Sequence, residues 1–527
     1  MGSQNSRCWL FRVGVLAVVC GTLLHLPMFA AARDMDYHMA GMETGTTMTV
    51  AMLLLVAGSA LTLAGLLTPR RGAAAPDVTV VDGDTDTAPA RRARSTLIGA
   101  MILAVAIDAQ KPFTFTFIIP AVTDEYGLSA PGVPGASAVP VAVLPLAGIA
   151  GTTIGSLVWG YLGDRIGRQA SIVYAAVLFV GTSVCGAMPT FTGNVIMCFA
   201  MGLAAGGMLP VIFTLLAETI PRRIRGRVMV LVGGLGAALG FLLASWSATV
   251  LMPLLGWRAL WLIGAPTGLL LLAVCRFVPE SPRFLLLHGK HEQALSILHR
   301  FGMRLAPATH PDPGGSASTL LLAPRLRAAT AALLTCGIAW GLANFGFLVW
   351  LPQALTTSGV AIGTVTTTLA QSALVSLPGV IAVAWLYARW GNHRTVTAAA
   401  ALTALTLLAF AALTPAIIGS TTVLLISTVL LLLAIYALHA AIIPYSAELF
   451  PTAIRARGTA LVAGATKLGG IAALTLTTAG ITPPGITASA LLAALPMLAG
   501  MTLLWTVPGR VGSLRARGAR LGGDQSR

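Results

Sequence analysis

The stretch Ala217–Arg227, AETIPRRIRGR, returns later in the chain without a gap as Ala447–Arg457, AELFPTAIRAR. Each copy follows a long apolar run and contains an acid, a proline and a cluster of arginines. Such a cluster is typical of a helix that leaves the membrane on its cytoplasmic side. The repeat therefore predicts a duplicated membrane protein in which two equivalent halves surround a central site.

The composition also favours a membrane protein. Hydrophobic residues make up 56% of the 527 residues and charged residues only 9%, whereas about 25% of a soluble protein is charged. The net charge of +16 does not predict a nucleic-acid partner, because the basic residues lie between apolar runs and not on a soluble domain. The six cysteines have no Cys-x-x-Cys spacing, so neither a zinc site nor a disulfide framework is predicted.

Apolar runs long enough to cross about 30 Å of hydrocarbon divide most of the chain into two sets of six. We call them core helices 1–12. The first six are predicted at about 97–120, 137–160, 171–189, 194–217, 228–252 and 257–278, and the second six at about 328–351, 362–388, 395–417, 421–446, 458–480 and 486–507. This pattern predicts two six-helix bundles, over 96–278 and 328–507, separated by a central loop at 279–327 and followed by a basic tail at 508–527.

Two further apolar runs, at about 9–31 and 47–67, predict a helical hairpin over 1–67, which we call the leading hairpin. The small residues Ala30–Ala32 also fit a cleavable signal peptide; we favour an uncleaved hairpin, because the apolar run is long. The segment 68–95 has the composition of a disordered linker. Because nothing in 1–67 belongs to the duplication, we expect the leading hairpin to be dispensable for function.

Lys and Arg indicate the orientation. If the linker is cytoplasmic, the same side receives the central loop, the tail and nearly all of the arginines between helices, while the opposite side has only Arg33 and Arg258. The positive-inside rule therefore predicts a multi-pass protein of the inner or plasma membrane, with its linker and C-terminus in the cytoplasm.

The loop after core helix 2 reads GYLGDRIGRQ, Gly160–Gln169. Its glycines allow a tight turn, and Asp164 lies just before the next helix, whose dipole favours a carboxylate. In spacing and position this loop resembles the signature loop of the major facilitator superfamily. Pro279–Leu285, PESPRFL, and the duplicated segments are similar to the sugar-porter and metabolite:proton-symporter branches, and the resemblance covers about 96–507.

The resemblance implies an all-α, twelve-helix major facilitator fold, here with the leading hairpin added, and transport by alternating access. It also implies a cytoplasmic gate in which acids and arginines hold the two halves together when the carrier faces outward. The residues that match this gate are Gly160, Asp164, Arg165, Gly167, Arg168, Glu218, Arg225, Arg227, Glu280, Arg283, Glu448, Arg455 and Arg457. The alternative is that these charges are solvated helix ends and topology signals.

The sequence departs from the family pattern in two places. In the matching loop after core helix 8, the position of the acid is taken by Ala388, so the second gate is predicted to be weaker or built differently. In core helix 4, Cys198 and Met208 stand where a symporter pattern has an arginine and a glutamate. A coupling mechanism that depends on that pair cannot be transferred to this chain.

Ionisable groups inside a membrane are costly, which makes them candidates for function. Asp108 lies near the middle of core helix 1 and could pair with Lys111 at i,i+3. The candidate proton-coupling and substrate residues are Asp108, Lys111, Trp340, Asn344, Gln371, His439 and Lys467. The alternatives are a self-neutralising structural pair for Asp108 and Lys111, and a packing role for His439.

We therefore predict a secondary active transporter, monomeric and without a cofactor, that moves a small organic metabolite by proton-coupled alternating access. An anion or a sugar-like compound is the expected cargo. The chain has no P-loop and no Gly-x-Ser-x-Gly elbow, so the sequence supports neither an ATP-driven pump nor an enzyme.

Two rival functions remain open. A drug or natural-product exporter would suit an apolar cavity, but core helix 5 lacks the Gly-Pro pair that marks antiporters of the family. A non-transporting receptor or metal-binding protein would use the Met and His residues of the leading hairpin, which suit Cu(I). Because these residues have no fixed spacing, we predict no metal site.

Overall fold

The computed structural model describes residues 2–67, 78–83, 87–131, 135, 139–307, 324–450, 455–481 and 485–507. Within these residues, 14 helices are long and apolar enough to cross a membrane. Helices suit this environment because they satisfy their backbone hydrogen bonds internally where no water is present.

Two helices form the leading hairpin and twelve form the core. The leading hairpin consists of Gly2–Leu23, Leu26–Ala31 and Ala32–Met35, followed by Thr46–Leu66. Core helices 1–6 are Ala88–Glu125, Val143–Ile166, Arg168–Ala187, Phe191–Thr219, Arg222–Leu255 and Ala259–Phe277. Core helices 7–12 are Leu326–Thr357, Ile362–Trp390, Asn392–Gly419, Thr421–Leu449, Arg457–Thr478 and Ile486–Thr506. Between the halves, the central loop contains the short helices Pro282–Leu287 and His291–Phe301.

The two halves pack their helices in the same way. In the first half core helix 1 packs on 5, 2 on 4 and 3 on 6, and in the second half 7 packs on 11, 8 on 10 and 9 on 12. The contacts between the halves are also equivalent, since core helix 5 packs on 8 and core helix 2 on 11. The predicted architecture of two six-helix bundles and an added hairpin is therefore confirmed.

Small residues allow core helices 2 and 4 to approach closely. Cβ atoms at Gly202 and Gly206 would collide with the backbone of Gly148 and Thr152, respectively. This is the small-residue packing by which helices associate in lipid, where no hydrophobic effect drives them together. Core helices 2 and 4 therefore lie in close contact between Gly148 and Thr152 on one helix and Gly202 and Gly206 on the other.

The leading hairpin packs on core helix 3. Thr22 Oγ1 donates to the Val180 carbonyl at 3.3 Å. The turn that follows the first hairpin helix reaches the end of core helix 1, where the Met39 and Ala40 N–H groups donate to Glu125 Oε1 at 2.9 and 3.0 Å. We call this end of the molecule the Glu125 end, and the opposite end, which carries Arg168, the arginine-rich end.

The linker contains regular structure. Val78–Asp82 pairs antiparallel with Met303–Pro307 of the central loop, and Asp82 Oδ1 accepts a hydrogen bond from the Arg222 N–H at 2.9 Å. Core helix 1 already begins at Ala88. The expectation of a disordered linker over 68–95 is therefore wrong for 78–82 and 88–95. The β-branched run at 78–81 was the available signal. Residues 68–77, 84–86 and the basic tail 508–527 lie outside the described residues.

Candidate functional site

The backbone carbonyl of Asp108 lacks its usual hydrogen bond within core helix 1. Pro112, four residues later, has no N–H to bond to the Asp108 carbonyl, so the helix is weakened at this point. The Oδ1 atom of Asp108 is buried and has no hydrogen-bond partner. The positive charges that act on its carboxylate belong to Lys467 and then to Lys111.

Lys111 makes its hydrogen bonds with core helix 3 and not with Asp108. Its Nζ atom donates to the Phe179 carbonyl at 2.8 Å and to Thr182 Oγ1 at 3.2 Å. Core helix 3 changes to a 3-10 turn here, and the Ser183 N–H bonds to the Val180 carbonyl, which leaves the Phe179 carbonyl without its usual α-helical donor. The predicted i,i+3 pair with Asp108 is therefore wrong, because Lys111 fastens core helix 1 to core helix 3.

Lys467 makes its hydrogen bonds across the boundary between the two halves. From core helix 11 its Nζ atom donates to the Thr152 carbonyl of core helix 2 at 2.8 Å and to Ser156 Oγ. An ammonium group has three N–H donors, and these two bonds use two of them. One donor remains for another acceptor.

A small apolar cavity lies beside Lys467. Its lining consists of Pro112, Phe115, Pro145, Gly148, Ile149, Thr152, Met201, Gly202, Ala205 and Phe345. Thr152 connects the cavity to the lysine, because this residue lines the cavity and its carbonyl accepts a hydrogen bond from Lys467. Gly470, one turn after Lys467, lies against Phe345. The cavity therefore has aromatic walls and a cation at its edge.

Polar atoms without partners also lie in the second half. Trp340 donates from Nε1 to the Ile435 carbonyl at 3.0 Å and stacks on His439 with ring centroids 4.4 Å apart. His439 Nδ1, Asn344 Oδ1 and the Tyr436 hydroxyl are buried without hydrogen-bond partners. Asn344 belongs to the π-helical segment Leu342–Phe347, a distortion often found at functional sites.

Gln371 is placed differently from our prediction. Its side chain is exposed on the same face of core helix 8 as Leu374, Val375 and Trp385, which are 52%, 57% and 54% exposed. An apolar exposed face of a membrane helix is the face that meets lipid. Gln371 therefore does not line the central cavity, and the prediction that it does is wrong.

At the arginine-rich end, Glu280 is held by the start of core helix 3. Its Oε1 atom accepts hydrogen bonds from the N–H groups of Arg168, Gln169 and Ser281 at 2.6, 3.2 and 2.8 Å. Burial raises the pKa of Glu280, and these N–H groups and the charge of Arg168 oppose the rise. Gly167 has φ +97° and its Cβ would collide with the Glu280 carboxylate, so this turn requires glycine.

The acids next to Glu280 bond within the same half of the molecule. Asp164 Oδ1 accepts from Arg168 at 2.8 Å, and Arg168 also donates to the Gly163 carbonyl at 2.8 Å. Glu218 accepts a hydrogen bond from Ser281 Oγ. The structure thus brings together the predicted gate residues of the first half through hydrogen bonds to backbone and hydroxyl groups as well as through ion pairs.

Glu448 contacts the other half of the molecule. A Cβ at Gly226, in the first turns of core helix 5, would lie 2.6 Å from Glu448 Oε1. Of the other predicted gate residues, Gly160, Arg227, Arg283 and Arg457 are exposed. Arg165 lies over the Tyr161 ring, and Arg225 donates to the Ile220 carbonyl. The side chain of Arg455 lies outside the described residues.

The family follows from a match over most of the core. A model of the Major Facilitator Superfamily matches residues 97–437, which is more than half of the chain. The chain belongs to the Major Facilitator Superfamily. It is therefore a membrane transporter, as the resemblance of its signature loop predicted.

Named relatives and a solved structure agree with this assignment. The niacin transporter NiaP of Acinetobacter baylyi is 28% identical over 312 residues, which cover 57% of this chain and 69% of NiaP. The 4-hydroxybenzoate transporter PcaK of the same organism is 31% identical over 220 residues, covering 40% of this chain and 45% of PcaK. The solved proton:xylose symporter XylE, bound to 6-bromo-6-deoxy-D-glucose, has the same fold, with a TM-score of 0.64 at 18% identity over 80% of this chain and 99% of XylE.

Sequence reasoning missed three structural residues of this transporter. Ser156 is an ordinary serine whose partner Lys467 lies far away in the chain, so no local pattern marks it. Ser281 stands inside the PESPRFL segment, but its partner Glu218 lies 63 residues away. Glu125 forms a buried ion pair with Arg258 at 2.6 Å. A signal for that pair existed, because Arg258 is one of only two basic residues predicted on its side of the membrane.

The Met and His residues of the leading hairpin lie in different surroundings. Among the described residues, no group of three or more His, Cys, Asp and Glu side chains could hold a metal ion. Met39 is fully buried in an apolar cluster with Ala32 and Ala187, whereas His38 is exposed. Met39 thus packs against the end of core helix 3 and contributes to the attachment of the hairpin.

Proposed function

We propose that the chain is a symporter that carries a small aromatic carboxylate together with a proton. The observation that carries this proposal is the arrangement at the middle of the core, where Lys467 lies beside an apolar cavity with aromatic walls and acts electrostatically on Asp108. In this state the cavity holds about one water molecule, so it must widen to admit a substrate. Its Phe115 and Phe345 rings then suit a flat ring, and the ammonium group suits a carboxylate.

The free donor of Lys467 gives the carboxylate a binding position. Two of its three N–H donors are used by Thr152 and Ser156, and the third is available. Hydrogen bonds between an ammonium and a carboxylate are about twice as strong as those between neutral groups. A substrate carboxylate would therefore be a better partner for Lys467 than the Ser156 hydroxyl.

Asp108 supplies the link to protons. When ionised, its carboxylate and the substrate carboxylate compete for the same positive charge and repel each other. When protonated, Asp108 removes the repulsion and offers an O–H donor to the substrate. Substrate and proton therefore stabilise each other's binding, which is the property that symport requires.

The relatives support this class of substrate. NiaP and PcaK are named as transporters of niacin and 4-hydroxybenzoate, and both compounds consist of one aromatic ring with a carboxyl group. The cation beside the aromatic cavity would recognise the part that these compounds share. The XylE fold adds the alternating-access architecture in which the central site faces each side in turn.

We place the transporter in the inner or plasma membrane as a monomer, with its arginine-rich end in the cytoplasm. The distribution of Lys and Arg supports this orientation through the positive-inside rule. Labelling of a cysteine at position 222 with an impermeant reagent from each side of the membrane tests it.

The central test is uptake of labelled nicotinate and 4-hydroxybenzoate by proteoliposomes under an imposed pH gradient. The wild-type protein should accumulate at least one of them against its concentration gradient. Asp108→Asn should lose this accumulation but keep exchange between two pools of substrate, because an amide stays neutral and cannot carry the proton.

Asp124→Asn is the matched control, since Asp124 is exposed near the end of the same helix. It should accumulate substrate like the wild type. Undiminished accumulation by Asp108→Asn would refute the coupling role of Asp108. If the wild-type protein transported neither compound nor any other aromatic carboxylate, the substrate class would be wrong.

A further inference from the structure

We propose that Lys467 is a latch between the two halves, held by core helix 2 when the site is empty and released by the substrate. The hydrogen bonds from Lys467 to the Thr152 carbonyl and to Ser156 Oγ cross from core helix 11 to core helix 2. The release step rests on the proposed function; the latch itself rests only on these contacts.

Core helix 2 presents a prepared acceptor to this lysine. Ser156 Oγ donates to the Thr152 carbonyl at 2.7 Å, so its one O–H is in use and its lone pairs face outward to accept from Lys467. The Thr152 carbonyl accepts from Lys467 as well. Both acceptors of Lys467 therefore lie about one turn apart on core helix 2, and the hydrogen bond between Ser156 and Thr152 orients them.

Close packing fixes the register between the two helices. Gly470, one turn after Lys467, lies against Ile149, one turn before Thr152, and a Cβ at Gly470 would collide with the Ile149 side chain. Glycine at 470 thus lets core helix 11 approach core helix 2 closely enough for the lysine to reach Ser156. Any motion that separates these helices at this level must break the hydrogen bonds of Lys467.

Lys111 offers a comparison with Lys467, because its hydrogen bonds stay within one half of the molecule. Its partners Phe179 and Thr182 belong to its own half, so its hydrogen bonds survive a movement of one half against the other. The partners of Lys467 belong to the opposite half. Only Lys467 must therefore exchange partners when the halves move.

The substrate supplies the replacement partner. A carboxylate first binds the third donor, and because the charged acceptor makes the stronger bond it draws the ammonium group towards itself and away from the Ser156 hydroxyl. Binding therefore weakens the contact between core helices 2 and 11 at the moment when the carrier must open. Ser156 becomes a positioning residue that sets how readily the empty carrier opens.

The test uses Ser156→Ala and Lys467→Gln in the full-length protein, with Ser245→Ala as the control. Ser245 is a buried serine whose hydroxyl donates to Leu242 of its own helix, so its loss affects no contact between the halves. Hydrogen exchange of core helices 2 and 11 without substrate is measured first. It should be faster in both latch variants and unchanged in Ser245→Ala.

Binding of nicotinate is measured next by thermal shift, since a ligand stabilises the protein that it binds. Removing the competing hydroxyl should tighten binding in Ser156→Ala by about fivefold, the factor that corresponds to roughly one hydrogen bond. Lys467→Gln should lose binding. A merely structural serine would leave binding unchanged or weaken it.

The two parts of the experiment separate the two proposals. Unchanged hydrogen exchange in both Ser156→Ala and Lys467→Gln would overturn the latch, whatever the substrate is. Faster exchange without any binding of aromatic carboxylates by the wild-type protein would support the latch and refute the proposed substrate class. Unchanged or weaker nicotinate binding by Ser156→Ala would overturn the release step.

Discussion

The two ends of the first half hold charge in different ways. At the Glu125 end, Arg258 and Glu125 are 0% and 2% exposed and lie 2.6 Å apart. At the arginine-rich end, Arg168 and Asp164 are 14% and 66% exposed and lie 2.8 Å apart. The distances are nearly the same, but the surroundings differ.

The partners of the buried pair explain why it can exist inside the protein. Glu125 also accepts from Trp257 Nε1 at 2.6 Å and from two N–H groups of the leading hairpin, and Arg258 also donates to the Met188 carbonyl and the Tyr126 hydroxyl at 2.8 and 2.9 Å. A buried ion pair is tolerated when most of its remaining donors and acceptors are satisfied, and here this holds for both Glu125 oxygens and both terminal nitrogens of Arg258, whereas Arg258 Nε is buried without a partner.

This difference indicates which end moves. All partners of the Glu125 pair belong to the first half or to the hairpin on it, so they can stay together while the halves rock. At the arginine-rich end, Glu448 of the second half contacts the start of core helix 5. We therefore expect the Glu125 network to be a permanent brace and the arginine-rich end to be remodelled during transport.

The largest effect should come from Arg258→Gln. Removing one partner of a buried ion pair leaves an uncompensated charge, which costs about 3–5 kcal/mol. The apparent melting temperature of the purified protein should fall strongly. Arg276→Gln is the control, because Arg276 is exposed and its loss should have little effect.

The double variant Arg258→Gln with Glu125→Gln sharpens this test. It leaves no unpaired buried charge, so it should recover part of the lost stability. If Arg258→Gln were no more harmful than Arg276→Gln, the Glu125 end would not be a brace, and the contrast between the two ends would fail.

The hairpin provides the second test, because its loop completes the Glu125 network. Met39 is 0% exposed whereas Met35 is 46% exposed, so the same substitution can be compared at two positions in one loop. Met39→Ala should cost at least about 2 kcal/mol, and Met35→Ala should stay within about 0.5 kcal/mol. Chemical or thermal unfolding of the two variants measures the difference. Equal effects would mean that the loop is not docked.

The hairpin also shows where sequence reasoning reaches its limit. Its two helices are evident from their apolar runs, but their independence was inferred from the absence of a repeat. Duplication describes ancestry, whereas docking depends on contacts such as Met39 N–H to Glu125, which link residues 86 positions apart. No local pattern encodes such a contact. That the hairpin is dispensable for transport stays a prediction.

For the central site, the sequence predicted the residues but not their partners. Charged residues in an apolar run are conspicuous, so Asp108, Lys111 and Lys467 could be named from the sequence. Their pairing could not, because spacing along one helix made Lys111 the obvious partner of Asp108. The released Phe179 carbonyl on another helix attracts Lys111 instead, and only the fold places it there.

The smallest change in stability should come from Asp164→Asn. Its carboxylate is mostly exposed, and exposed ion pairs contribute about 0–1 kcal/mol, so insertion and melting temperature should stay close to wild type. The rate of transport should nevertheless fall. Asp164 orients the Arg168 side chain, and the backbone N–H of the same residue holds Glu280 at 2.6 Å, so the loss of the Asp164 carboxylate loosens the turn that keeps this end closed.

Initial uptake rates, normalised to the amount of protein in the membrane, measure this effect. Asp34→Asn is the control, because Asp34 is an exposed acid of the leading hairpin outside the gate. A reduced rate at unchanged stability would show that an exposed pair contributes to movement while contributing almost nothing to folding. Wild-type rates in Asp164→Asn would instead make Asp164 a solvated helix-end charge. The arginine-rich end would then differ from the Glu125 end in exposure alone and not in mobility.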